Sequence, residues 1–394
     1  MSPSRGRGRM LAAGGILLAG LSLLTGIFAV SLTPQNAATR DFIGYWAAGQ
    51  QIVHHANPYD LDATLRLEQA AGLGNLQVKI TPSPPIGLAL VVPLGFFGAK
   101  NGLVFWLIAE IVCLAAAVSI LWILAGRPAS RIHLLGFLFP PAIACIMAGQ
   151  IGIFCLLGIT LFLWLHPTRP FLAGVALLPV SFKPHLFLPV ALVLLIWVIA
   201  QKRFALLAGF CAALAASYAI VLAFDRRAWP QYIVMLHSNL MQGRFAPTLS
   251  AYLRLDLAPS AAWLEYLPTF LACLWAIAYF FTRRSRWSWL DHGLLVLLVS
   301  LVCAPYAWFT DEAVLLPAVL LGLYRALHSR HSSIPLAVMP LAVFVAAALV
   351  ELFADVRITA WYYCWTAPAW LAWYLYASPQ DLDAPSLRSE GGKP

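Results

Sequence analysis

The chain has 394 residues, of which 61% are hydrophobic and only 10% charged, with a mean hydropathy of +0.81. A soluble globular domain carries about 25% charged residues, so this composition excludes one and points to an all-α, polytopic integral membrane protein. The formal net charge of +9 is concentrated in short loops between apolar runs, which suits anionic lipid headgroups rather than nucleic acid.

A bilayer-crossing helix needs about 20 mostly apolar residues. About twelve such runs are expected, near 11–32, 101–125, 131–148, 150–166, 169–182, 184–201, 203–224, 261–282, 288–305, 311–328, 333–351 and 358–377. Together they predict a single transmembrane domain over residues 1–377, followed by a polar, disordered tail at 378–394. The basic start Arg5/Arg7/Arg9 resembles the charged region of a signal peptide, but the apolar run behind it passes Val30. It is read as a retained first helix with a cytoplasmic N-terminus.

The first long polar segment, 33–100, is expected on the outer side. It holds Thr39-Arg40-Asp41-Phe42-Ile43-Gly44-Tyr45-Trp46, a helix-compatible stretch over about 40–55, a turn at Asn57-Pro58-Tyr59-Asp60, and a short amphipathic helix over Leu61–Ala71. A carboxylate such as Asp41, at a membrane surface among aromatics, can deprotonate a hydroxyl beside a lipid-linked substrate. The competing reading is that Asp41 caps the following helix. The apolar run over 84–98 is too short to span, so it dips in or lies at the interface. With that assignment Arg127/Arg131, Arg169, Lys202/Arg203, Arg283/Arg284/Arg286, Arg325/Arg330 and the Arg388/Lys393 tail all fall inside, placing both termini in the cytoplasm. The segments 33–100, 225–260, Pro305–Glu312 and 352–357 fall outside.

Few ionisable groups lie within or at the ends of the apolar runs: Glu110, Lys183, His185, Asp311, Glu312 and Glu351. Each is costly in lipid unless it lines a polar cavity. Gln150 sits at an expected outer hairpin, where its amide can meet a sugar hydroxyl. Lys183, in the Pro-broken Phe182-Lys183-Pro184-His185, can hold a phosphate as a point charge, or snorkel. His185 fits packing as well as chemistry, and Asp311 fits a helix cap. The second outer loop, 225–260, carries Arg244 and Arg254, able to grip phosphate through paired hydrogen bonds or to face lipid headgroups. Asp41, Gln150, Lys183/His185 and Asp311/Glu312 are thus expected on one leaflet, around one site. The seven cysteines all lie in expected helices, so no disulfide framework follows. No metal-ligand spacing, Walker loop or dinucleotide fingerprint occurs. Trp and Tyr number 15 and 13, with pairs such as Trp361/Tyr362 and Trp373/Tyr374 near expected span ends, where an interfacial belt places them.

In order and spacing, Asp41 with Tyr45 and Ala47/Ala48, Asn57-Pro58-Tyr59-Asp60, Pro84-Pro85, Gly149-Gln150, Phe182-Lys183-Pro184 and Ala304-Pro305 with Asp311 resemble glycosyltransferase family 87. That family is a branch of the multi-spanning GT-C superfamily, and the resemblance covers about residues 10–330. It implies inverting transfer of a sugar from a polyprenyl-phosphate donor, outside the cytoplasmic membrane, with no nucleotide sugar and no cofactor. Asp41 would then be the catalytic base, and Tyr45, Gln150, Lys183, His185, Arg244, Arg254 and Asp311 substrate-binding positions. The implied partners are the lipid-linked donor, a glycolipid or glycan acceptor and the bilayer itself. Ser83 stands where an aromatic often precedes the Pro-Pro pair, and Thr310-Asp311 stands where mannosyl-transferring members commonly have histidine, which leaves the donor sugar open. A transporter or flippase is the alternative. It is disfavoured by the lack of an internal repeat and the scarcity of midplane carboxylates. A non-catalytic assembly subunit with the same fold is the third.

Overall fold

The computed structural model describes residues 19–74, 78–79, 82–238, 246–328 and 360–377. Among these residues all regular structure is helical, as the composition requires. In chain order the first α-helices are α1 (Ala19–Ser31), α2 (Pro34–Ala38), α3 (Phe42–Val53), α4 (Leu61–Ala70), α5 (Pro85–Val91) and α6 (Ala99–Leu124). Next come α7 (Pro140–Ala148), α8 (Gly152–Leu165), α9 (Pro170–Ala176), α10 (Pro184–Ala200), α11 (Phe204–Phe224) and α12 (Ala228–Leu236). The last are α13 (Leu249–Tyr252), α14 (Leu267–Arg283), α15 (Leu294–Val302), α16 (Leu316–His328) and α17 (Thr366–Ala377).

Of the expected spans, α6 and α11 are continuous helices of 26 and 21 residues, long and apolar enough to cross a bilayer. The other described runs are shorter, and several are divided. The run at 131–148 splits at Phe139 into a 3₁₀ segment, Ile132–Leu138, and α7. The one at 169–182 splits into α9 and a 3₁₀ segment, Leu178–Phe182, and those at 288–305 and 311–328 begin as π and 3₁₀ turns, Trp289–Gly293 and Phe309–Leu315. Proline accounts for two of these breaks: Pro140 and Pro179 lack the N–H that a continuing helix needs. The expected span at 333–351, with Glu351, lies outside the described residues.

The chain forms two compact units, residues 1–112 with 219–236, and residues 113–218 with 237–394. In the first, the helices expected over 40–55 and Leu61–Ala71 are α3 and α4, with the Asn57–Asp60 turn between them closed by Asp60 N–H donating to the Asn57 carbonyl (3.1 Å). Helix α5 runs into a 3₁₀ turn, Val92–Phe96. Together they extend about 20 Å, at about 1.5 Å per residue in the α-helix and 2.0 Å in the 3₁₀ turn, too short for the roughly 30 Å hydrocarbon core. That segment packs on α3 through facing glycines: a Cβ on Gly95 would lie 2.2 Å from the Gly49 carbonyl oxygen. The contact is pinned by Trp46 Nε1 donating to the Phe97 carbonyl (2.8 Å), and by Gln50 Nε2 donating to the carbonyls of Phe97 (2.8 Å) and Gly95 (3.0 Å). Tyr59 reaches from the turn to donate to the Ser83 carbonyl (2.9 Å), and its ring meets Tyr232 of α12 at 5.3 Å. Burial raises the pKa of both phenols.

In the second unit, α8 packs on α9, α10 on α14 and α15, and α17 on α15 and α16. The core includes an aromatic stack in which Trp289 meets Phe162 and Trp197 edge-on at 5.1 and 5.7 Å. Apolar helices in lipid gain no hydrophobic drive from each other, so polar contacts between them matter more. Here Ser300 donates to the Leu186 carbonyl (2.6 Å) and Thr269 to the Cys303 carbonyl (2.6 Å). Arg325 of α16, expected at the inner face, is buried and ion-pairs with Asp291, donating also to the Leu290 carbonyl (2.9 Å) and the Tyr374 hydroxyl (3.0 Å). All seven cysteines are free thiols.

Candidate functional site

Asp41 stands at the turn into α3 in helical geometry (φ −66°, ψ −22°), and its side chain makes no capping hydrogen bond. The capping reading therefore fails in its simplest form. Instead the carboxylate is 48% exposed and lies 3.6 Å from the ammonium of Lys79. Sequence reasoning missed Lys79, although it is the only cation between Arg66 and Lys100. Its Nζ also donates to the Thr39 carbonyl (2.7 Å), and its backbone N–H is held by both oxygens of Glu68 (3.0 and 3.2 Å). Glu68 of α4 is fully buried, and burial pushes its carboxyl from 4.5 up to about 7, the Lys79 N–H and charge offsetting only part of the shift. A buried glutamate on an otherwise polar surface helix thus anchors the strand of chain that delivers a lysine to Asp41.

Behind Asp41 the unit is aromatic. Tyr45 is buried and stacks on Trp106 of α6 at 5.6 Å and 20°, with Phe42 against the same indole at 6.1 Å. The Glu110 carboxylate, also on α6, is fully buried with neither oxygen hydrogen-bonded. Its charge acts on Arg40, whose pKa is lowered by burial and partly restored by that carboxylate. The charged neighbour of Glu110 is therefore Arg40, the residue next to Asp41 in sequence.

In the second unit three sequence-predicted positions meet. Helix α7 ends at Gly149, whose left-handed backbone (φ 68°, ψ 40°) suits glycine and turns the chain into Gln150 and then α8. Lys183 precedes Pro184, the first residue of α10; a residue before proline is steered out of the helical region, and Lys183 has φ −128° and ψ 62°. Its Nζ donates to Gln150 Oε1 (3.2 Å) and pairs with Asp311 Oδ1 (2.5 Å). The other Asp311 oxygen accepts from the Trp308 backbone N–H (2.9 Å), so the capping role expected of Asp311 is realised alongside the ion pair. Asp311 is only 1% exposed. The outcome is a fixed cation supported by a carboxylate and an amide, drawn from three separate stretches of chain.

His185 lies beside this group but is not hydrogen-bonded through Nε2, and its ring meets Tyr306 edge-on at 6.0 Å. The Arg254 guanidinium is ion-paired with Glu265. Arg244 lies outside the described residues. Glu312, next to Asp311, is buried and accepts a hydrogen bond from Thr366 of α17, a partner that no spacing in the sequence announced.

No curated protein and no solved structure is detectably similar to this chain. Residues 83–305, more than half of its length, match the family described as glycosyltransferase family 87. That interval takes in Gln150, Lys183, His185 and Arg254, and begins downstream of Asp41 and Tyr45. On that match, the chain belongs to glycosyltransferase family 87.

Proposed function

We propose that this membrane glycosyltransferase moves a sugar from a polyprenyl-phosphate donor to a hydroxyl of a glycolipid or glycan at the outer face of the cytoplasmic membrane, with Asp41 as general base. Family membership supports glycosyl transfer over transport. The observation that carries the base assignment is the setting of Asp41: half-exposed at the turn into α3, with the Lys79 ammonium 3.6 Å from its carboxylate. A base must be reachable and ionised.

In the proposed step the acceptor hydroxyl gives its proton to Asp41 as its oxygen forms a bond to the anomeric carbon. The bond from that carbon to the phosphate oxygen breaks on the opposite face, and polyprenyl phosphate leaves with the electron pair, inverting the configuration. A leaving phosphate is stabilised by fixed cations. Lys183, held by Asp311 and Gln150, is assigned that role, with Arg254 or Arg244 of the second outer loop as the additional donor. His185, Tyr45 and Gln150 are assigned to substrate contact, and no cofactor or metal is assigned. The proposed topology has both termini in the cytoplasm and Asp41 outside.

The test is transfer by purified protein in lipid, using a panel of polyprenyl-phosphate sugars. Asp41→Asn is expected to cut the rate by at least 100-fold, within the 10² to 10⁴ typical of a lost general base, while expression and melting temperature hold. Transfer at the wild-type rate by Asp41→Asn would refute the base assignment.

A further inference from the structure

Asp41 stands in the short joint of residues 39–41 between α2 and α3, so whatever steadies that joint also places the carboxylate. One side chain bridges it. The Lys79 ammonium donates to the Thr39 carbonyl (2.7 Å) at one end of the joint and lies 3.6 Å from the Asp41 carboxylate at the other. A lysine side chain is a flexible four-carbon stem, so its ammonium is only as well placed as the backbone it grows from.

That backbone is gripped by Glu68 of α4, whose two oxygens both accept from the Lys79 N–H (3.0 and 3.2 Å). Glu68 is fully buried, and burial outweighs what the N–H and the ammonium return to its charged form. The ionised carboxylate is therefore a net cost to the fold, and stability alone does not account for it. Among the described residues, Lys79 is the charged group that acts on it. From α3, which packs on α4, the neutral Gln51 is turned to the Thr64 hydroxyl instead (2.8 Å).

We infer that Glu68 is a positioning residue for sugar transfer: acting through Lys79, its ionised form sets the ammonium across the joint that carries Asp41. The inference rests on the reading of Asp41 as the base. An ionised carboxylate offers acceptors on both oxygens, whereas protonation turns one of them into a donor, which faces an N–H that has nothing to accept with. The grip on Lys79 then loosens, and the joint with it. Activity should accordingly rise with pH through about 7, where Glu68 ionises, the reverse of this group's effect on stability.

The experiment uses the full chain in lipid nanodiscs and has two readouts. In the first, Asp41→Cys puts a thiol at the base position, and its alkylation by iodoacetamide is followed by mass spectrometry of its own peptide. A neighbouring ammonium favours the reactive thiolate. Adding Glu68→Leu or Lys79→Met should each slow the alkylation at least about threefold, and adding both should slow it no further than Lys79→Met does. In the second, chains that keep Asp41 are assayed for transfer from polyprenyl-phosphate sugars. Glu68→Leu should lower kcat/KM at least about tenfold, and the wild-type rise between about pH 6 and pH 8 should be absent in Glu68→Gln. Alkylation unchanged in Glu68→Leu would overturn the inference, and so would additive effects, which mark a general loosening of the fold. Glu68→Gln keeps the volume and one acceptor, so its pH profile decides the matter if Glu68→Leu does not fold. Transfer that needs Asp41 yet keeps its wild-type rate and pH profile in Glu68→Gln sinks this inference alone. Coupled alkylation in a chain that transfers from no donor sinks the general-base reading instead.

Discussion

Asp41 and Asp311 are both aspartates at helix starts, yet their surroundings assign them opposite work. Asp311 is 1% exposed with each oxygen engaged, one by Lys183 and one by the Trp308 N–H. Such a group serves best as a support. Removing one member of a buried ion pair strands the other, at a cost of about 3–5 kcal/mol. Lys183→Met is therefore expected to lower the melting temperature of the solubilised protein sharply, and Lys183→Met/Asp311→Leu to recover part of the loss. Additive effects of the two substitutions would show that the pair is not coupled. Asp41, by contrast, is half-exposed and makes no side-chain capping hydrogen bond. Its replacement should spare stability and remove activity.

At the scale of elements, α3 depends on how closely it can approach the Val92–Phe96 turn. A methyl group at Gly95 would meet a backbone oxygen, which cannot move aside as a side-chain tip can. Gly95→Ala is expected to cost about 1–3 kcal/mol, as overpacking does, read as a lower melting temperature; an unchanged value would mean that the two segments separate freely. Helix α4 contributes a pH dependence. Glu68 binds its proton more tightly when folded, with a pKa of about 7 against 4.5. Between those values the folded chain holds a proton that the unfolded chain has released, so stability falls as pH rises. The contribution is complete below about pH 4.5 and gone above about pH 7, for a change of up to about 3 kcal/mol. Glu68→Gln should flatten the melting temperature across this range. A wild-type melting temperature that climbs from pH 5 to pH 7 would contradict the assignment.

For the whole molecule, class and helicity were legible because composition and apolar run length report them directly. The positions of α3, α4 and the Asn57–Asp60 turn were legible as well, through local turn chemistry and amphipathic spacing. The continuity of the spans was not: an apolar run looks alike whether it forms one α-helix or, as at 131–148, a 3₁₀ segment and a helix split before Pro140. Lys183 and Asp311 stood out because ionisable groups are so rare in these runs, and Gln150 because it falls at a hairpin; that these three meet is what the fold adds. Lys79 escaped notice since a lysine in a polar loop is unremarkable by itself, and only the fold brings it to Asp41. The proposed orientation gives its own prediction. A green fluorescent protein fused after Pro394 should fluoresce and an alkaline phosphatase fused there should be silent, with active phosphatase reversing the topology.

The most direct measurement is sugar transfer from polyprenyl-phosphate donors by wild-type and Asp41→Asn protein side by side in the same lipid. The account predicts product from the wild type, inverted at the anomeric carbon, and at least 100-fold less from the variant. Equal rates from the two proteins, or a product of retained configuration, would contradict it.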